Sequence, residues 1–378
     1  MPRDPHYVQW VAKKLHHNLA RGHTESLAVE LALGAFVAKP SFFSQAGVSY
    51  SAMKAVVITR PGGPEVLELK ERPTPEPGPH QIRVRVHASA LNRADLSQRR
   101  GNYPAPPGYP ADISGMEYAG EVDALGPDVT RWQIGARVMG IIGGGGHAEY
   151  VCVHEREAIA APELFSWEEA AAIPEVFLTA YDALFRQMDL RVGETLLIHA
   201  VGSGVGTAGL QLACSSGAAV VGTSRSAEKL RRAKAIGLDI GIDASEGDWA
   251  TEVESRVGTD SINVVMDLVG GDYLSGDLRV LSPRGRIIVV GTTAGANAEI
   301  NLGLLLRKRA RIIGTVLRAR SLDEKIALAE EFTERVLPLF ETGHVKPVVD
   351  HVFAFSETSA AHALMEANET FGKIVLRW

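Results

Sequence analysis

Two cysteines, Cys152 and Cys214, are all that 378 residues contain. They cannot build a disulfide framework, and no Cys-x-x-Cys pair exists to hold a structural metal. Each is expected to be a reduced packing residue. Long apolar runs are missing too: nowhere do about 18 apolar residues follow one another, the length a helix needs to span a bilayer. Charge of one sign is scarce. The 39 Lys and Arg face 45 Asp and Glu, a formal charge of −6, and no basic block stands out, which argues against a nucleic-acid surface. There is no internal repeat and no low-complexity segment. What is there, 46% hydrophobic and 22% charged residues, is ordinary for a soluble globular protein of one large or two medium domains with a sizeable core.

Residues 1–52 look unlike the rest. They carry His6, His16, His17 and His23 and show no strand-like alternation. Thr24 could cap a helix through "ESLAVELALGAFVA", but the segment is too short for a membrane span and lacks a clear signal-peptide cleavage pattern. It is expected to be a poorly ordered extension. A fresh start follows at Met53. "QIRVRVHAS" alternates apolar Ile82, Val84 and Val86 with polar residues, as a half-buried strand does. Pro and Gly punctuate the chain up to about residue 165, which reads as short strands joined by turns. The period then changes. "SWEEAAAIPEVFLTAYDALF" reads as a helix capped by Ser166. Six strand-like runs follow, at 195–200, 220–223, 240–242, 262–267, 286–291 and 311–317, with helical segments between them. Gly237 is a stop signal for one of these. Strand–helix alternation of this kind predicts an α/β fold, a Rossmann-type doubly wound parallel sheet. The tail reads as helix, strand, helix and a last strand, "KIVLRW".

Within the first unit of that sheet, "TLLIHAVGSGVGTAGLQLA" places Gly202, Gly204 and Gly206 between a strand and a helix. Glycines there let the backbone approach a pyrophosphate, whose charge sits at the helix N-terminus. The plainer alternative is a tight strand–helix bend. NAD sites usually carry an acid about 20 residues on, for the ribose 2′-OH. Here no acid lies between Glu194 and Glu228; Ser224, Arg225, Ser226 and Lys229 stand in its place. Hydroxyls and cations suit a 2′-phosphate; alternatively these are solvated helix-start charges. "GGGGHAEYV" lies between two strands, so it reads as a hairpin bend; His147 beside it could approach the cavity, with a structural role the simpler reading.

The stretches "SALNRADLSQRRGNYPAPPG", "GMEYAGEV", "AAIPEVFLTAYDAL", "LLIHAVGSGVGTAGLQLA" and "GKIVL" resemble the zeta-crystallin-like quinone oxidoreductase branch of the medium-chain dehydrogenase/reductase superfamily, most closely its p53-inducible NADPH quinone reductase subgroup. The resemblance covers residues 53 to 378. It implies a mostly-β GroES-like catalytic domain at 53–174, completed by 318–378, and an NADPH-binding Rossmann domain at 175–317. Zinc-dependent relatives carry Cys at the position of Asn92 and His at that of Met116, so the resemblance implies a zinc-free enzyme; an amide and a thioether are poor zinc ligands. It points to Asn92 and Tyr103 as the catalytic residues lining the substrate cavity. Tyr103 could equally be a loop aromatic among prolines. Asp95 reads as a partner of nearby backbone or of Arg93.

Cofactor contacts carried over by motif are Thr179 on the nicotinamide side, Ser203, Gly204 and Val205 at the pyrophosphate, Ser226 and Lys229 at the 2′-phosphate, and Gly291 and Leu317 in loops near the nicotinamide. Ser203 replaces a glycine found in many relatives. The implied activity is NADPH-dependent reduction of quinones. An ene-reductase of α,β-unsaturated carbonyls or enoyl thioesters is the alternative, and a non-enzymatic NADPH- or RNA-binding role a third. A cytoplasmic homodimer is expected, pairing through the apolar edge strand "RIIGTVL", with no nucleic-acid or membrane partner.

Overall fold

The computed structural model describes residues 51–378. The expectation for the N-terminal extension therefore lies, but for its last two residues, outside the described residues. Short strands come first: β1 (Ala52–Ile58), β2 (Leu67–Pro73), β3 (Gln81–Ala90), β4 (Glu117–Leu125), β5 (Arg137–Ile141), β6 (Tyr150–His154) and β7 (Ile159–Ala160), with helix α1 (Arg93–Arg99) after β3. β1 and β2 pair with each other, while the other strands form an antiparallel sheet around β3. The alternation read in β3 is observed. Ile82, Val84 and Val86 all face the core, because successive side chains of a strand point to opposite faces.

Ser166 is a helix cap, as its position suggests. Its Oγ accepts from Glu169 N at 3.2 Å, and the Glu169 carboxylate accepts in return from Ser166 N at 2.9 Å, a reciprocal capping box. The helix it starts is not continuous, however. α2 (Trp167–Ala171) stops ahead of Pro174, and α3 (Pro174–Tyr181) begins with that proline before loosening into a π-helical turn over Asp182–Gln187. Proline lacks the N–H that the ladder needs, but suits a helix's first position.

The parallel sheet contains β8 (Thr195–Ile198), β9 (Ala219–Ser224), β10 (Ile240–Asp243), β11 (Ile262–Asp267), β12 (Leu281–Val289) and β13 (Arg311–Gly314). They are joined by α4 (Gly204–Ser215), α5 (Ala227–Lys234), α6 (Trp249–Val257), α7 (Tyr273–Val280) and α8 (Leu302–Lys308). The spatial order is β10-β9-β8-β11-β12-β13. It reverses between β8 and β11, which opens the crevice where such sheets bind ligands. β12 starts five residues before the run read from sequence, because Pro283 and Arg284 (φ 66°) form an irregularity inside the strand: Leu281 pairs with Ile262 and Arg286 with Val264.

The tail supplies α9 (Leu322–Arg335), α10 (Leu337–Glu341), β14 (Val349–Ala354), α11 (Thr358–Ala367) and β15 (Lys373–Arg377). β15 lies antiparallel to β3 and parallel to β14, so the chain's end returns to the antiparallel sheet. α3 is wedged between the two sheets. Its Phe177 and Leu178 share one apolar cluster with Ala88 and Met139, with Ala208 and Leu212 of α4, and with Phe332 and Phe340 of the tail. Phe177 meets Phe340 edge to face, ring centres 4.8 Å apart, a favoured aromatic geometry. Among the described residues no helix is long and apolar enough to cross a membrane.

Candidate active site

The glycine turn lies at the carboxyl end of β8. A Cβ on Gly206 would stand 2.6 Å from Ala200 O, and one on Gly204 would stand 2.8 Å from Lys373 Cδ. Side chains are excluded there by close packing. Ser203 caps α4, its Oγ accepting from Gly206 N at 3.1 Å. Its departure from glycine thus serves the turn. The N–H groups of Gly204 and Val205 have no acceptor among the described residues. They are orphan donors at a helix N-terminus, the arrangement that favours a phosphate.

At the end of β9 Ser226 caps α5, accepting from Lys229 N at 3.4 Å, and Ser224 Oγ accepts from Ser226 N at 3.2 Å. Lys229 Nζ donates to Asn368 O at 2.5 Å, and Arg93, reaching over from α1, donates to the Asn368 side-chain oxygen. Burial, followed by the charge of Arg93, lowers the Lys229 pKa, and Arg225 adds to the repulsion. Lys229, Arg93 and Arg225 make no ion pair among the described residues. Asp350 acts on Lys229 and Glu366 on Arg93 in the opposite sense, but burial and the neighbouring cations outweigh them, and the excess of positive charge is complementary to an anion. Gly291, two residues past β12, packs so closely that a Cβ would lie 2.7 Å from Leu268 O. Leu317, past β13, is buried in the cluster around α3. Thr179 is buried on α3. The residues read for the cofactor thus line the carboxyl edge of the parallel sheet and the helix beside it. The turn and cation cluster fit a dinucleotide.

In the loop after α1, Tyr103 is half-buried and burial raises its pKa above the ordinary 10, so it remains an O–H donor at neutral pH. Arg318 holds its loop. That guanidinium donates to Tyr103 O at 3.3 Å, to Gly143 O at 2.7 Å and to Gln98 Oε1 at 2.6 Å, and lies 5.0 Å from the centre of the Tyr103 ring. The glycine run 143–146 is packing, not a phosphate loop. A Cβ on Gly143 would strike the Tyr109 ring at 2.4 Å, and no helix follows the run. His147 is fully buried, 3.0 Å from Ser114 Oγ, in a structural position as expected. Asp95 accepts from the backbone N–H of Asn92 at 2.8 Å and of Gly115 at 2.9 Å. Arg93 is not its partner.

Asn92 stands beside the cleft with its amide engaged. Nδ2 donates to Glu117 Oε1 at 2.8 Å and to Ala90 O at 3.3 Å, and Oδ1 accepts from Lys373 Nζ at 2.7 Å. To serve a substrate oxygen it would give up the long bond to Ala90. Lys373 and Glu117 are a buried ion pair at 2.8 Å. Lys373 also donates to Leu91 O at 2.7 Å, and Glu117 Oε2 accepts from the backbone N–H of Glu175 at 2.8 Å. Lys373, Glu117, Glu175 and Arg318 were not singled out from sequence. Lys373 and Glu117 lie 256 positions apart in the chain (373 − 117), and nothing local marks them as partners.

The donor set does not suit zinc. The Asn92 amide is bonded to Glu117 and Lys373, Met116 is a buried thioether, and a lysine ammonium adjoins both Asn92 and Glu117. No three His, Cys, Asp or Glu side chains among the described residues group as a metal site. Burial pushes the Cys152 thiol up to about 12 and that of Cys214 up to about 11, which keeps both protonated.

A parallel sheet with a glycine turn at its switch point, beside a second, antiparallel sheet, is the architecture of a dinucleotide-binding protein. The relatives agree. Residues 78–163 match the alcohol dehydrogenase GroES-like domain and residues 204–341 the zinc-binding dehydrogenase family. A quinone oxidoreductase of Pseudomonas aeruginosa is 36% identical over 85% of this chain and 99% of its own length. The synaptic vesicle membrane protein VAT-1 homolog of Rattus norvegicus is 31% identical over 86% of this chain and 84% of its own. Among solved structures, a quinone oxidoreductase of Pseudomonas syringae pv. tomato superposes with a TM-score of 0.78 at 30% identity, covering 86% of this chain and 100% of that one. The CurK enoyl reductase gives 0.77 at 25%, covering 86% and 99%. The chain belongs to the quinone oxidoreductase branch of the medium-chain dehydrogenase/reductase superfamily. It is an oxidoreductase of a nicotinamide-using family.

The ion pair yields a stability test. Lys373→Met leaves the Glu117 carboxylate buried without its counter-charge, and breaking such a pair costs about 3–5 kcal/mol. Urea unfolding is expected to show that loss, and adding Glu117→Gln to the same chain is expected to restore part of it. An unchanged midpoint in the single variant would contradict the account.

Proposed function

We propose that this chain is a zinc-independent reductase that transfers hydride from NADPH to quinones. The observation that carries the reading is a cleft offering a neutral hydroxyl donor, Tyr103, and no metal donor set, beside a dinucleotide turn. When bound, the nicotinamide supplies hydride. The chain's own residues hold and orient. Gly204 and Val205 offer N–H groups to the pyrophosphate, and Ser226 and Lys229 take the 2′-phosphate. Thr179, Gly291 and Leu317 border the nicotinamide end. Tyr103 donates to the substrate oxygen on which charge develops, and Asn92 lines the same cavity. Quinones are readily reduced, so positioning supplies much of the rate. The second reading, an ene-reductase, is favoured by the likeness to the CurK enoyl reductase.

A substrate panel followed at the NADPH absorbance separates the two. Quinones are expected to be turned over faster than α,β-unsaturated ketones, with activity surviving a chelator. Preference for the enone would replace the first reading by the second, and loss to the chelator would refute the zinc-free assignment.

Cofactor choice follows from the end of β9. A charge-assisted hydrogen bond to phosphate is worth about 1.5–3 kcal/mol, roughly tenfold or more in affinity. Ser226→Ala combined with Lys229→Ala is expected to raise the KM for NADPH by about tenfold or more and to leave that for NADH nearly unchanged. Equal weakening toward both would show that these residues do not read the 2′-phosphate.

The proposal includes a homodimer. β13 is the edge of the parallel sheet, with Ile312 and Ile313 along it and exposed Val316 just beyond. An unpaired apolar edge invites a second copy. Light scattering at micromolar concentration is expected to give twice the chain mass; the monomer mass would rule it out.

A further inference from the structure

One acid beside the dinucleotide turn has an unengaged carboxyl among the described residues. Glu175 is the second residue of α3. Its backbone N–H is bound by Glu117, but its carboxyl makes no hydrogen bond to any described residue and is only partly covered. Thr179 lies four positions on, so the two share one face of the helix. Val176, the next residue, has its Cγ1 2.9 Å from where a Cβ on Gly204 would stand. This end of α3 therefore borders the dinucleotide turn. Charged groups from four elements act on the Glu175 carboxyl: Glu117 of β4, Lys373 of β15, Asp95 of α1, and Arg318 from the loop after β13. Tyr103, across the cleft, is close enough to feel its charge. Burial first, then the Glu117 carboxylate, pushes the Glu175 pKa up to about 8; Lys373 and Arg318 pull the other way without cancelling the shift.

We propose that Glu175 is the proton donor of the reduction, its carboxyl delivering to the substrate the proton that balances the transferred hydride. This rests on the reductase reading above. The electrons balance as follows. The hydride from the reduced dinucleotide bonds to one carbonyl oxygen of the quinone, and the negative charge comes to rest on the other carbonyl oxygen. The O–H bond of the Glu175 carboxyl breaks and an O–H bond forms on that oxygen. The hydroquinone leaves, and the carboxylate recovers its proton from water. Glu175 suits the task better than Tyr103, because an acid is most effective when its pKa lies near the working pH. Glu117 is barred from it. Both its oxygens are hydrogen-bonded and it is fully enclosed.

The test pairs kinetics with a measurement on the cofactor-free protein. Carbon-13 NMR of glutamate-labelled protein, with Glu175 assigned by its disappearance in Glu175→Gln, is expected to show that carboxyl titrating near pH 8. The donor is the protonated form, so kcat/KM for the quinone is expected to hold below that pH and fall as pH rises through it. Glu175→Gln is expected to lose about 10²-fold, the low end for acid catalysis because water can substitute, and to lose the pH step, while the dinucleotide Kd, read by fluorescence, stays within twofold or so. Glu175→Asp is expected to keep an acid and part of the rate. An active wild type whose profile is unaltered in Glu175→Gln, or a Glu175 carboxyl titrating in the ordinary range, would overturn the proposal and leave the reductase reading standing. A wild type that reduces neither quinones nor enones would overturn both.

Discussion

The ion pair between Lys373 and Glu117 joins four parts of the chain at one point. Lys373 stands on the last strand, Glu117 on β4, Asn92 at the start of α1, and the backbone of Glu175 at the start of α3. Burying both charges is expensive, and the cost is offset only when every donor and acceptor is matched. Here each is. The three lysine protons go to Leu91 O, Asn92 Oδ1 and Glu117, and the two carboxylate oxygens take Lys373 with Asn92 and the Glu175 N–H. The wall of the cleft is therefore set by a bond that cannot be made until the end of the chain has returned to the antiparallel sheet.

The pair also governs the electrostatics beside it. Burial raises the Glu117 pKa while Lys373 opposes the rise, and the Glu117 carboxylate in turn raises the affinity of Glu175 for its proton. Lys373 occupies the space and the charge balance that a cation would need. In the reduction proposed above, developing charge is met by hydroxyls and protons, and Tyr103 and Glu175 are the groups assigned to it. Arg318 performs the matching task for the opposite wall. It ties the loop after β13 to the Tyr103 loop, to α1 and to the glycine run.

Much of the architecture was legible because the signals are local. The alternation of Ile82, Val84 and Val86 marks a strand whatever it packs on. The Ser166–Glu169 spacing marks a cap, and glycines between an apolar run and an amphipathic helix mark a phosphate turn. Pro174 was legible in principle as a helix break, yet the continuous apolar spacing around it read as one helix. The loss mattered, because the break creates the N-terminus on which Glu175 sits. The run 286–291 was read short at its start, since Pro283 and Arg284 look like a turn and are in fact an irregularity within β12.

The sequence by itself determined the periodicities, the glycine turn, the lack of an acid between Glu194 and Glu228, and the presence of only two cysteines. Each is a property of neighbouring residues or of composition. The tertiary structure decided which side chains share a cleft. Lys373 and Glu117 meet because β15 pairs with β3, and Arg93 joins Lys229 because both reach Asn368. Glu175 becomes a poised acid because folding partly withdraws it from water and sets Glu117 nearby. A pKa of about 8 in place of 4.5 is a consequence of burial and proximity, and no single stretch of sequence encodes either.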